Sequence, residues 1–144
     1  MNVLPNNEEL ERQLVGQSIL DNRPASREIA PADFYSPLWR ECWAAIAQLD
    51  ADGKEIEPFA IERIVKPRYK TADVMQIKNS TLGLVFAMDS TAYGKQLKNL
   101  SARRYLIHQL SNQMQELETN TDVTGIVDRL ESCFDKVRAG QRFL

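Results

Sequence analysis

Two Gly-Lys pairs are the residues of this chain that come nearest to a phosphate-binding loop. Such a loop places Gly-Lys-Ser/Thr after a glycine and four intervening residues, so that backbone N–H groups surround the phosphates. The pairs at 53–54 and 94–95 are followed by Glu55 and Gln96, and neither has a glycine five positions earlier. The sequence therefore predicts no nucleotide-binding site.

The cysteines and the histidine are the other residues that could carry chemistry. Cys42 and Cys133 lie 91 positions apart, which gives neither a disulfide framework nor a zinc-ligand spacing. Cys42 falls within an apolar helical stripe and is interpreted as a small buried hydrophobe. His108 has no evident partner for general base catalysis. We predict no catalytic residue, no metal site and no cofactor in this chain, which is not expected to be an enzyme.

A short basic run, RIVKPRYK, contains Arg63, Lys66, Arg68 and Lys70. A solvated loop explains the run, because Pro67 breaks any helix there; a patch that contacts phosphates is the alternative. The formal net charge is −2, so the whole chain has no general attraction to nucleic acid. We favour the solvated loop.

The composition is typical of a globular protein. The 144 residues are 43% hydrophobic and 26% charged, which suits a single domain with one core. The start of the chain is acidic and polar, unlike a signal peptide, and the longest apolar runs are too short to span a membrane. A cytoplasmic location is expected.

The clearest helix runs through both tryptophans. Ser36 and Pro37 suit its N-cap and first helical position, and Gly53 suits a left-handed stop. Between them the apolar residues recur at steps of 3, 1, 3 and 3: Trp39, Cys42, Trp43, Ile46 and Leu49. This stripe predicts a core helix whose tryptophans are buried.

A second helix is predicted near the start of the chain. Asn7 is its expected N-cap, and three acidic residues follow in the first turns, where the helix dipole favours them. Gly16 lies inside this helix at a cost of about 1 kcal/mol relative to alanine. A close approach of another helix is the expected compensation.

Three further segments give weaker signals. Residues near Ser26 are predicted to form a short helical turn that ends at Pro31. Pro58 is predicted to begin a helix that ends at Pro67. Residues 71–89 are interpreted as helix or loop.

The last fifty residues predict a helical hairpin. No proline or glycine occurs between Lys95 and Thr124, and a helix unbroken to Thr119 would be roughly 40–45 Å long. The segment NTDVTG then forms a turn, and a second stripe ends near Gly140. Its apolar residues are Val123, Ile126, Val127, Leu130, Cys133, Phe134 and Val137. Two striped helices joined by a short polar turn are typical of an antiparallel pair.

The predicted fold is all-α. Residues 1–89 form a globular multi-helix head, residues 90–140 a long antiparallel hairpin, and residues 141–144 the start of a linker or tail. The stripe on the long helix is wider than one neighbouring helix can cover. Its surplus is buried either against the head of the same chain or against a second copy.

Several motifs together resemble the start of DnaB-type replicative DNA helicases. The matching positions run nearly the whole length of the chain: Pro5, Asn7, Glu9, Glu11, Leu14-Val15-Gly16, Ile19-Leu20-Asp21, Asp33-Phe34-Tyr35, Trp39-Arg40, Cys42-Trp43, Leu49, Gly53, Ile56-Glu57, Tyr93, Leu97, Arg104 and Leu106-Ile107. Residues 66–92 match poorly, and the asparagine usual shortly before the tyrosine is missing. The conformation of residues 66–92 therefore stays open.

The resemblance implies a non-catalytic collar and scaffold domain. In that family the hairpins of neighbouring subunits pair and assemble a ring, and primase docks on the ring. It implies a homo-oligomer, primase and a helicase loader as partners, without sequence-specific nucleic-acid or membrane binding. ATP and Mg²⁺ are expected only in a downstream motor domain. The candidate self-association residues are Arg103, Arg104, Tyr105, Leu106, Leu110, Met114, Leu117, Ile126, Leu130, Phe134 and Val137.

Three alternatives stay open at this point. The chain could be the helicase-binding domain of a primase, which shares the head-plus-hairpin shape. It could be a stand-alone short homologue that modulates the helicase, although an excised N-terminal domain is favoured. It could also be a nucleic-acid adaptor that uses Arg63 to Lys70.

Overall fold

The computed structural model describes residues 3–84 and 90–142, and the regular elements in these ranges are helices. The predicted all-α class is therefore confirmed. The elements are α1 (Glu8–Asp21), a 3₁₀ turn (Pro31–Asp33), α2 (Pro37–Ala51), α3 (Pro58–Val65), α4 (Val74–Asn79), α5 (Ser90–Thr119) and α6 (Val123–Arg142). None of the described helices is long and apolar enough to cross a membrane.

The chain divides into two compact units. The head unit is Asn6–Lys98, and the hairpin unit joins Met1–Pro5 to Asn99–Leu144. The division falls within α5, whose first residues belong to the head unit.

Helix α2 supplies the centre of the head unit. Its apolar face is buried as predicted, with Trp39 and Trp43 at 7% and 2% exposure. The rings of Phe34 and Trp43 lie 5.2 Å apart between centroids, and the indole N–H of Trp43 donates to the Ile29 carbonyl at 3.1 Å. The tryptophans are therefore core residues, and the polar atom of Trp43 is satisfied inside the core.

Helix α1 begins at the predicted cap. The Asn7 side chain accepts a hydrogen bond from the Leu10 N–H at 3.0 Å. The close approach expected at Gly16 is confirmed, because a Cβ there would lie 2.0 Å from the carbonyl oxygen of Ser80. One turn earlier on α1, the Arg12 guanidinium donates to the same oxygen at 2.8 Å. Together these contacts fix the end of α4 against α1.

The segment before α2 differs from its prediction. Pro31 begins the 3₁₀ turn Pro31–Asp33, whereas the sequence suggested that it would end a turn capped by Ser26. Proline suits a first helical position because its fixed φ is preorganised and its missing N–H would have no helical partner. Ser36 does occupy the N-cap of α2, but its side chain makes no capping hydrogen bond.

The remaining head elements follow their local signals. Helix α3 begins at Pro58, and Gly53 has a φ of 66°, as a left-handed stop requires. Within residues 71–89, α4 confirms the helical interpretation at Val74–Asn79. Positions 82–84 lie in a turn and its continuation, and the rest of LGLVFAM lies outside the described residues.

Cys42 is fully buried in this core, and the burial raises the pKa of its thiol to about 12. At pH 8 only about one thiol in ten thousand would then be ionised. In a Cys133→Ser variant, we expect Cys42 to react with a maleimide at pH 8 at least about a thousandfold more slowly in the folded protein than in denaturant. Rapid labelling of the native chain would contradict the packing described for α2.

Candidate functional site

The two helices of the hairpin unit are joined by a tight polar turn. The Asn120 side chain accepts from the Asp122 N–H at 2.9 Å, and Asp122 in turn accepts from the Gly125 N–H at 3.1 Å. Asp122 therefore satisfies one of the free N–H groups at the start of α6. This turn confirms the helical hairpin predicted from the sequence, with α5 unbroken to Thr119.

The seam between α5 and α6 is partly polar. From α5, the Tyr105 hydroxyl lies 3.7 Å from the sulfur of Cys133, and the Gln109 side-chain oxygen lies 3.6 Å from the same sulfur. Further along, Arg129 donates to the side-chain oxygen of Gln113 at 3.2 Å. The hydrogen bond to Cys133 raises the pKa of Tyr105, because it holds the phenol in its protonated form. Tyrosine and glutamine side chains of α5 therefore face α6.

The apolar stripe of α5 lies beside this seam and stays exposed. Ile107, Leu110, Met114 and Leu117 recur at steps of 3, 4 and 3, with exposures of 42%, 41%, 64% and 52%. This is the spacing of a seam between two packed helices. The hairpin does not bury it.

Helix α6 carries a second exposed stripe. Val123, Val127 and Phe134 have exposures of 59%, 44% and 37%, and half-buried Leu130 lies between them at the same spacing. We call these four residues and the four of α5 the apolar stripes. Large contiguous apolar surfaces on folded proteins are commonly interaction sites.

The structure separates the predicted self-association residues by burial. Leu110, Met114, Leu117 and Phe134 lie exposed in the stripes. Tyr105, Leu106, Leu130 and Val137 are half-buried, and Arg103 is exposed. Arg104 is half-buried and donates to the Pro5 carbonyl at 2.9 Å, inside the hairpin unit.

Ile126 does not fit the predicted surface. It is 1% exposed and lies inside the hairpin unit, so it cannot present its side chain to a partner. Three stripe residues were missing from the predicted surface: Ile107, Val123 and Val127. Their helical spacing was visible in the sequence. The spacing alone does not show which side of a wide stripe the neighbouring helix covers.

The other residues with possible chemistry form no metal site within the described ranges. His108 is exposed on α5, and no group of three His, Cys, Asp or Glu side chains in the described ranges could hold a metal ion. The cations of the basic run are all exposed, and none of them joins an ion pair within the residues that the structure describes.

Comparison with known proteins agrees with this architecture. Residues 3–99 match the protein family described as the DnaB-like helicase N terminal domain. The fold is similar to that of the N-terminal domain of DnaB helicase from Mycobacterium tuberculosis, known from a crystal structure. The TM-score is 0.75, and the match covers 93% of this chain and 99% of that chain. The two sequences are 16% identical, so this similarity shows the fold alone. No curated protein matches the chain in sequence.

Proposed function

Because the chain belongs to the family of DnaB-like helicase N-terminal domains, we propose that it is the non-catalytic collar and scaffold domain of a replicative DNA helicase. Its hairpin unit associates with copies of itself, and the assembled collar docks primase in the cytoplasm. ATP and Mg²⁺ belong to a motor domain and not to this chain. The observation that carries the self-association is the pair of exposed apolar stripes on α5 and α6.

The spacing of the stripes suits a helical partner. Residues at steps of 3 and 4 along a helix form a narrow apolar line that another helix can cover over several turns. A second copy supplies such a helix with the same line. In a symmetric pair, the same stripe residues of both subunits lie in the interface.

The energetics allow the same partner. Covering the exposed half of one such side chain contributes about 1 kcal/mol. Two copies bring two sets of stripes, and the summed gain is of the same order as the roughly 4–15 kcal/mol lost in translational and rotational freedom. Polar seam residues such as Gln109 and Gln113 cannot replace this contribution, because they already bond within the hairpin.

The Leu110→Asp variant tests the self-association. A carboxylate in the middle of the α5 stripe would be desolvated on assembly, so we expect the dissociation constant of the oligomer to rise at least about a hundredfold. The measurement is the molar mass by light scattering across a dilution series. The control is Ser111→Asp, which adds the same charge at the next exposed position of α5, outside the stripe.

Equal mass for Leu110→Asp and the unaltered chain at every concentration would contradict the stripes as the contact surface. The control should keep the mass of the unaltered chain, and circular dichroism should show unchanged helicity in both variants. Titration of the same proteins with the primase of the host tests docking. A primase that binds neither oligomer nor monomer contradicts the scaffold role.

A further inference from the structure

We infer that the head unit carries a contact site for single-stranded nucleic acid, formed by the exposed aromatic ring of Phe59 and the cations of the basic run. We call this set the basic track: Phe59, Arg63, Lys66, Arg68 and Lys70. The inference does not depend on the hairpin unit or on self-association. It concerns contact with the phosphate backbone and the bases, without sequence preference.

The first support is the register of α3. Phe59, Arg63 and Lys66 stand at i, i+4 and i+7, so they lie along one face of the helix. Lys66 keeps helical φ and ψ as the C-cap and donates its N–H to the Glu62 carbonyl. The opposite face holds the buried anchors Ile61 and Val65. These three residues of the track therefore point away from the core.

The turn after α3 holds the other two cations in place. The N–H groups of Arg68 and Tyr69 both donate to the Val65 carbonyl, at 3.0 and 2.9 Å, and Ala72 donates to the Tyr69 carbonyl at 3.0 Å. Pro67 further restricts the backbone. Arg68 and Lys70 are thus exposed on an ordered turn and lose little backbone freedom on binding.

Cations outnumber carboxylates within the segment that carries the track. Residues 62–78 contain five cations and two carboxylates, in a chain whose net charge is −2. Both carboxylates bind backbone N–H groups: Glu62 accepts from Val74 at 2.7 Å and Asp73 accepts from Met75 at 3.0 Å. No ion pair among the described residues includes a cation of the track.

The exposed ring distinguishes nucleic acid from an acidic peptide. Phe59 is 59% exposed, although a ring of this size is normally covered. A single strand offers both a phosphate for each cation and an unpaired base that can stack on the ring. An acidic peptide uses the cations but has no need of the aromatic face. Three carboxylates, Asp52, Glu55 and Glu57, line the cleft next to Arg63 together with Lys54, and they will oppose any polyanion there.

The test is the binding of a fluorescein-labelled oligothymidine of about 16 nucleotides, followed by anisotropy at increasing salt. Four phosphate contacts on a single strand predict a log–log salt slope of about −2.8, which is roughly a 50-fold loss of affinity between 50 and 200 mM salt. The Arg63→Glu/Lys66→Glu double variant should halve this slope and weaken binding at 50 mM salt at least about tenfold.

The matched control is Arg23→Glu/Lys95→Glu, which reverses one exposed arginine and one exposed lysine elsewhere in the head unit. The affinity of this control for the oligothymidine should fall less than about threefold. Phe59→Ala should weaken binding about tenfold with an unchanged salt slope, because it removes stacking and no charge.

Three results would overturn the assignment. One is an equal loss of oligothymidine affinity in the Arg63→Glu/Lys66→Glu variant and in its control, which would mean that binding depends only on the net charge. Another is an unaltered affinity of Phe59→Ala for the oligothymidine, together with binding of duplex DNA as tight as that of the single strand. The third is binding of a polyglutamate peptide through the track while the oligothymidine does not bind.

Discussion

Replacement of Glu11 by alanine should lower the free energy of unfolding of the head unit by about 3 kcal/mol. The carboxylate is fully buried and accepts hydrogen bonds from the N–H groups of Tyr35 and Ser36, at 2.9 and 3.0 Å. Alanine would leave one buried and one part-buried donor without this partner, at about 1–3 kcal/mol each. Entry of a water molecule into the vacated space offsets part of that cost.

Chemical denaturation followed by tryptophan fluorescence measures this loss, because Trp39 and Trp43 both lie in the head unit and are the only tryptophans of the chain. Glu11→Gln keeps one carbonyl oxygen and should lose about half as much. Glu8→Ala is the control, since Glu8 is an exposed acid of the same first turn. It should cost no more than about 1 kcal/mol through the helix dipole. Similar losses in Glu8→Ala and Glu11→Ala would disprove the role of the buried carboxylate.

Replacement of Gly16 by alanine should destabilise the head unit by about 2 kcal/mol, against the usual preference of helices for alanine. The added Cβ would lie 2.0 Å from the Ser80 carbonyl oxygen and 2.6 Å from its carbon. These are backbone atoms, so the end of α4 must move away from α1. The displacement costs about 3 kcal/mol, and the better helix propensity returns about 1 kcal/mol.

Gly140→Ala is the matched control within α6. A Cβ at Gly140 meets nothing within 4 Å, so alanine there should only increase helix propensity. The fluorescence midpoint of the head unit should stay where it is in Gly140→Ala and fall in Gly16→Ala. A rise in the midpoint for Gly16→Ala would show that α1 and α4 are not in the close contact described.

The motifs that carry the family resemblance have structural roles in this chain. Glu11 accepts hydrogen bonds from the N–H groups of Tyr35, the last residue of the Asp33-Phe34-Tyr35 tripeptide, and of Ser36, which follows it. Asp33 accepts from the Ala30 N–H at 2.8 Å and pairs with Lys98 at 2.8 Å, while Phe34 lies in the core against Trp43. The motifs therefore report the fold of the head unit. The proposed collar function depends instead on the exposed stripes of the hairpin unit.

Local signals in the sequence determined most of the helices. Asn7, Pro37, Pro58 and Gly53 act through the backbone of their immediate neighbours, so their effect can be predicted without the fold. The stripe through Trp39 and Trp43 likewise predicted a core helix. The prediction that a helical turn ends at Pro31 was wrong, because a turn begins there. Proline occurs both at the first position of a helical turn and at the residue that stops one, so its presence alone does not distinguish the two.

Only the tertiary structure decided what those helices face. The sequence placed Glu11 among the acids in the first turns of a helix, and the structure shows that it is a buried acceptor for N–H groups 24 and 25 positions away. The tertiary contacts also direct Gln109 and Gln113 towards α6, bury Ile126 and expose the α5 stripe. Periodicity shows which side chains share a helix face. The direction of that face depends on contacts between residues far apart in the chain, which a local pattern does not record.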